Sequence, residues 1–267
     1  MKALTRLLPG HGTLWLMFFG SVLAAWGLLL ATHMPVAAPH PAAEFGLAYL
    51  ISLCTQSVAD AGFGSAVAMW SLMSLAMMAP TAFPAFKTYS DMTYTEAASG
   101  TSLAVLVAGY LVIWIGFAVP AALLQVQLAE LQLLDAVGRS TSGILNALLL
   151  LLAGAYQFSR LKNACLTACQ NPMTFFFAHW QPGHMGAFRL GLRLGAVCLG
   201  CCWALMLLAF VAGTMNLAFM GLAMLLMTLE KLPQIGDRIS APLGVFLIIS
   251  GTVVGVLSLL ELSNGGI

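Results

Sequence analysis

Apolar residues run along this chain in long unbroken blocks separated by short polar stretches. Seven blocks stand out, at 14–32, 65–83, 102–124, 143–158, 191–213, 216–230 and 241–260. A helix needs roughly 20 apolar residues to cross the hydrocarbon core of a bilayer. The blocks are continuous rather than alternating, which predicts helices and not a barrel. The fourth and sixth blocks are short for a full span, so the count falls to six if one is recessed. The pattern predicts an all-α fold: a polytopic transmembrane helix bundle of about seven spans.

Two further stretches mix apolar and polar residues at helical spacing. They are 42–60 ("AAEFGLAYLISLCTQSVAD") and 123–138 ("LLQVQLAELQLLDAVG"). Leu124, Leu128, Leu131 and Leu134 can share one face while Gln127, Glu130 and Asp135 lie elsewhere. Each stretch is expected to be an interfacial helix on the outer side. Near the N-terminus, Lys2 and Arg6 precede an apolar run from Leu14 to Ala31. That run exceeds a signal-peptide core of about 7–15 residues, so it reads as a retained first span.

Composition narrows the class. Of 267 residues, 61% are hydrophobic and 7% charged, against roughly 25% charged in a soluble domain. So few charges cannot cover a water-facing surface, and the lipid bilayer is the first partner implied. A net charge of +1 gives no electrostatic footprint for nucleic acid. Residues 1–267 read as a single membrane domain, with 1–60 as the first span and an outer loop.

The basic residues set an orientation. With seven spans, Lys2, Arg6, Lys87, Arg160, Lys162, Arg189, Arg193, Lys231 and Arg238 fall on one side, and Arg139 alone on the other. The positive-inside rule then places the N-terminus in the cytoplasm and the C-terminus outside. The membrane implied is a bacterial inner (plasma) membrane, crossed several times.

Candidate chemistry lies in sulfur. The stretch "RLGAVCLGCCWALMLLAF", Arg193 to Phe210, carries Cys198, Cys201 and Cys202 within an apolar helix. At about 100° per residue these thiols share an arc of about 100°, and Met206 follows Cys202 by one turn. Upstream, Cys165 and Cys169 are also one turn apart. Met73 and Met77 share a helical stripe with Met69, and Met78 is adjacent. Met220, Met224 and Met227 form a second stripe. His179 and His184 flank the turn at Pro182-Gly183. The orientation leaves Cys54 alone outside, so a disulfide framework is not expected.

Thiolate and thioether sulfur are soft ligands that suit Cu(I). Copper is therefore the first metal expected. Zinc is the runner-up, because Cys165, Cys169, His179 and His184 could close a tetrahedral site. Packing is the bland alternative, since methionine fills gaps and free cysteine behaves as a small hydrophobe. Packing accounts better for the methionine stripes than for three cysteines in five residues. Among polar residues, Asn146, Gln157 and Asn216 are expected to bridge helices. Glu230 and Lys231 are expected to pair at headgroup level. Arg189 and Arg193 are expected to snorkel to phosphates.

The segments "MWSLMSLAMMAPTAFP", "YQFSRLKNACLTACQNPMTFF", "GAFRLGLRLGAVCLGCCWALM" and "VAGTMNLAFMGLAMLLMTLEK" together resemble the bacterial family known as domain of unknown function 2182. That family is described as predicted metal-binding integral membrane proteins. The resemblance covers residues 65–255 and implies a metal-binding core. Carried onto this chain, the candidate positions are Met73, Met77, Met78, Cys165, Cys169, Cys198, Cys201, Cys202 and Met206.

The leading functional expectation is a membrane protein that binds, transfers or transports Cu(I) through a Cys/Met sulfur site. Its partners would be the metal ion and a membrane metalloenzyme or metallochaperone. One alternative is a membrane thiol-redox protein using Cys198-x-x-Cys201, for which Arg189 and Arg193 are the nearest cations in sequence. Another is a structural or accessory subunit with inert cysteines. No catalytic residue is assigned, and no phosphate-binding loop is read.

Overall fold

A computed structural model describes residues 10–31, 62–92, 100–214 and 216–264. The stretch at 42–60, Lys2, Arg6, His33, His40 and Cys54 lie outside these residues. The described chain is helical: α1 Gly10–Ala31, α2 Phe63–Thr81, α3 Phe83–Met92, α4 Gly100–Glu130, α5 Gly143–Gln157, α6 Arg160–Gln170, α7 Pro172–His179, α8 Gly183–Leu207, α9 Ala209–Ala212, α10 Leu217–Glu230 and α11 Gly236–Asn264. Among the described residues there is no strand, only an isolated bridge between Leu134 and Ser140.

All seven apolar blocks are helices. Four are long and apolar enough to cross a membrane: Phe63–Thr81, Thr101–Glu130, Gly183–Ala212 and Arg238–Ser263. A fifth span results if α5 and α6 count as one, although they are bent by 61°. Leu14–Leu30 and Leu217–Glu230 are apolar but shorter. The outer surface supports multi-pass placement in a membrane. On α11, Phe246, Ile249 and Val253 are exposed, as are Leu148 and Leu152 on α5. Lipid tolerates such a surface where water does not.

The interfacial helix expected over 123–138 is a correction. Its first half continues α4 without a break as far as Glu130, and residues 131–142 form a compact loop. Gln125 explains the continuation. Its Oε1 accepts the Trp70 indole N–H at 2.8 Å inside the core. The polar residue that suggests an end to the span is thus satisfied by a neighbouring helix, as buried polar groups must be.

Two helix pairs set the architecture. At the α4–α8 crossing a Cβ on Gly191 would run into the Leu106 carbonyl, and one on Gly109 into the Phe188 carbonyl. The backbones touch because both positions lack side chains, the usual route to close helix packing in a membrane. α5 and α11 meet in the same way, with Gly154 against Ile248 and Gly244 against Gln157. α2 packs along α4, burying Trp70, Met73, Met77 and Met78.

Caps mark the starts of three helices. Ser142, Ser159 and Asn216 accept the backbone N–H of Leu145, Lys162 and Phe219. Asn216 is therefore the N-cap of α10, and its Nδ2 donates to the Ala212 carbonyl at the end of α9 at 3.2 Å, so it joins these two consecutive helices. Asn146 bonds the Ser140 carbonyl and so holds the loop before α5. Gln157 is buried, and its Oε1 has no hydrogen-bond partner.

The connections gather at two ends. Contacts among Thr81, Lys162, Gln170, Glu230 and Lys231 draw the α2–α3, α5–α6 and α10–α11 junctions together. At the other end, the Ser140 amide donates to the Phe210 carbonyl, joining the 131–142 loop to the α9 turn.

Candidate metal centre

Helical spacing alone places Cys198, Cys201 and Cys202 on one face of α8, and packing turns that face inward. All three are buried. Their Sγ atoms lie within 4.8 Å of one another, the only such group of three or more Cys, His, Asp or Glu ligands among the described residues. The Cys201 and Cys202 sulfurs are 3.2 Å apart. All five described cysteines are free of disulfides.

A fourth sulfur comes from α6. Cys169 is half-buried, and its Sγ lies 4.0 Å from that of Cys201. Cys165, one turn earlier, rests against Gly200 of α8, where any added Cβ would meet its sulfur. The Tyr156 hydroxyl donates to the Gly200 carbonyl, and its ring packs edge-on against Trp203. The 61° bend after α5 is what lays α6 along α8 and brings both thiols in.

The two histidines do not join this group. The His179 ring hydrogen-bonds the Phe175 carbonyl through Nδ1 at 2.9 Å, on its own helix. His184 is exposed in the first turn of α8. Fourteen residues separate it from Cys198, about 21 Å along a helix. The tetrahedral set of Cys165, Cys169, His179 and His184 is therefore not assembled.

The methionines are in the core. Met73, Met77 and Met78 of α2 and Met206 of α8 are all buried in the cluster that contains the cysteines. α2 reaches the thiols through its C-terminal end. The Met78 carbonyl accepts the Tyr110 hydroxyl at 2.9 Å, and that hydroxyl lies 3.1 Å from Cys198 Sγ.

Tyr110 was not legible as part of the site, and neither was Lys231. Lys231 is buried, with Nζ 3.0 Å from Cys198 Sγ and 2.6 Å from Thr81 Oγ1. Its sequence neighbour Glu230 turns the other way and binds Lys162 through both oxygens at 2.9 Å. Ser240 donates to the same carboxylate at 2.9 Å, and Gln170 to the Glu230 backbone carbonyl. This corrects the expected Glu230–Lys231 pair at the headgroups. The cause is that three chain-distant helices, α2, α6 and α8, supply better partners in the interior. It also corrects the choice of cation: Lys231, not Arg189 or Arg193, touches a thiol, and both arginines are exposed.

A cavity of about 20 Å³ adjoins the cluster, lined by Thr81, Tyr110, Cys169, Leu194, Cys198 and Lys231 among others. That is room for about one water molecule. Sulfur, hydroxyl and ammonium groups thus converge on a space of atomic size. The residues present fit a soft metal ion, since thiolates dominate the donor set and no carboxylate enters the cluster.

Fold and site together define a helical protein with membrane-length apolar helices and a buried thiol cluster that fits a soft metal ion. The chain belongs to the copper chaperone family PpoB2, which matches residues 67–254 and so runs from most of α2 through most of α11. No curated protein and no solved structure matches the chain.

Proposed function

We propose that this protein is an integral membrane carrier of Cu(I) whose ion rests on Cys198, Cys201 and Cys202. Cys169 and Cys165 are the next sulfurs outward, and Met73, Met77, Met78 and Met206 lend thioether from the surrounding core. The single observation that carries this reading is the convergence of three buried sulfurs within 4.8 Å, with a fourth 4.0 Å from one of them. Soft sulfur donors exchange Cu(I) readily among themselves, which suits a protein that must both accept an ion and give it up. Membership of a copper chaperone family supports the same metal.

Orientation follows from the basic residues. The end of the bundle where Lys162 meets Glu230 lies on the side to which the sequence assigns most of the lysines and arginines, so it faces the cytoplasm. The cluster then sits toward the inner side of a bacterial plasma membrane, and the partner is a metallochaperone or a membrane metalloenzyme.

The test is Cu(I) binding by purified protein in competition with a chelator, under reducing conditions. Cys198→Ser, Cys201→Ser and Cys202→Ser together replace soft thiolates by hard hydroxyls and should abolish binding. Met220→Leu, Met224→Leu and Met227→Leu together should leave it intact. Copper binding by the triple serine variant equal to that of the parent rules the site out.

A second reading, thiol-redox chemistry, draws on Lys231 beside Cys198, because reactive thiols keep a cation nearby. It requires a disulfide within the cluster during turnover. Mass-shift labelling in cells that finds these thiols reduced or metal-bound removes it.

A further inference from the structure

Lys231 presents a problem of charge. An ammonium group in an apolar interior is costly unless it is paired. The ion pairs among the described residues are Lys87–Asp91 and Lys162–Glu230, so Lys231 has no carboxylate there. Its contacts are the Thr81 hydroxyl and the Cys198 sulfur. Glu230, the nearest acid in the chain, is fully engaged with Lys162 and Ser240. The Tyr110 hydroxyl spends its proton on the Met78 carbonyl while lying against the same sulfur.

The bookkeeping of the site follows from these contacts. One thiolate already neutralises Cu(I), and a second leaves one negative charge in a medium of low dielectric. Two thiolates with Cu(I) and one fixed ammonium sum to zero. We propose that Lys231 is a built-in counter-charge that allows the cysteine cluster to hold Cu(I) on two thiolates with no net charge left in the core. The inference rests on the copper reading above and assigns a role to a residue outside the sulfur set. Lys231 touches a ligand, and its ammonium remains fixed on Cys198 as the ion arrives. Thr81 anchors that ammonium from α2, so the second helix contributes to the site through charge placement.

The sign of the effect separates this role from its rival. If Lys231 merely repelled an incoming cation, removing it would tighten binding. As a counter-charge, its removal weakens binding although a positive group has gone. Purified parent, Lys231→Met and Lys231→Arg are compared by chelator competition for Cu(I), with thermal unfolding of the metal-free proteins measured alongside. Lys231→Met should weaken Cu(I) binding by about tenfold or more, the scale of one charge-assisted contact in a buried site. Lys231→Arg should restore most of it. The metal-free Lys231→Met protein should unfold no earlier than the parent, because a buried charge has been replaced by a packed apolar chain. Equal or tighter copper binding by Lys231→Met overturns the proposal. So does failure of the arginine variant to recover binding while folded. If Lys231→Met does not give a folded peak, Lys231→Gln is read by the same criteria. A parent that binds no Cu(I) refutes the copper reading itself, whereas a parent that binds and a methionine variant that binds equally refute only the role of Lys231.

Discussion

Glu230 and Lys231 are adjacent in the chain and face different partners, Glu230 the Lys162 ammonium and Lys231 the Cys198 sulfur. The turn after α10 therefore ties three helices at once. One arm holds α6, which carries Cys165 and Cys169, and the other reaches α8 and α2. Gly236 makes the turn possible, because a Cβ there would run into the Glu230 carbonyl and the Gln170 amide.

The first arm should be sensitive to loss of a single partner. Glu230→Gln leaves the Lys162 ammonium buried without a counter-ion, and such losses cost about 3–5 kcal/mol. Thermal unfolding in detergent should show a large drop for Glu230→Gln. Combining it with Lys162→Met should recover most of the drop, since the orphaned charge is gone. Equal losses in the single and double variants would mean that the pair's charge is not what matters.

Helix contact gives a prediction that does not depend on metal. Gly191→Ala puts a methyl group into the Leu106 backbone at the α4–α8 crossing. Overpacking of this kind costs about 1–3 kcal/mol. Gly116→Ala, on the same α4 with nothing within 4 Å of the added carbon, should be neutral or mildly stabilising. The comparison is made on unfolding midpoints, and a Gly191→Ala protein as stable as Gly116→Ala refutes the crossing.

The helices were legible because hydrocarbon demands long apolar runs, and each of the seven runs is a helix. The cysteine face was legible for a similar reason, since Cys198, Cys201 and Cys202 are close in sequence and helix geometry fixes their angles. What could not be read were contacts across the fold. Lys231 is 150 residues from Thr81 and 33 from Cys198. A lysine following glutamate at a helix end ordinarily reads as a pair at the membrane surface. The end read for the third apolar block at 124 misled in the same way: Gln125, the next residue, finds its partner Trp70 55 residues away, so the helix continues. Nothing local marks Tyr110 as a neighbour of Cys198. Such residues are found from sequence only by asking which buried polar group lacks a local partner.

Orientation can be tested directly. On the proposed orientation, a fusion of alkaline phosphatase after Leu262 should be active, because the C-terminus would lie outside. A fusion after Lys162 should be inactive, because α6 would begin at the cytoplasmic end. The reverse result would turn the bundle over and present the Cys169 side of the cluster to the outside.

Cys169 allows delivery to be separated from holding. It is half-buried, it lines the small cavity beside Cys198, and its sulfur is 4.0 Å from Cys201. Cys201 and Cys202, at 3.2 Å from each other, lie deeper. An ion leaving the site on Cys198, Cys201 and Cys202 toward that cavity would meet the Cys169 sulfur next. Loss of a transient ligand raises the barrier between sites and alters the resting site little. Cys169→Ser should therefore slow Cu(I) transfer to an external chelator, followed by stopped-flow absorbance, while equilibrium affinity stays near that of the parent. Cys201→Ser should do the opposite: affinity falls, and whatever copper remains bound leaves faster. If Cys169→Ser lowers affinity as much as Cys201→Ser, Cys169 belongs to the resting site and the relay is wrong. If it changes neither rate nor affinity, the ion leaves by another path.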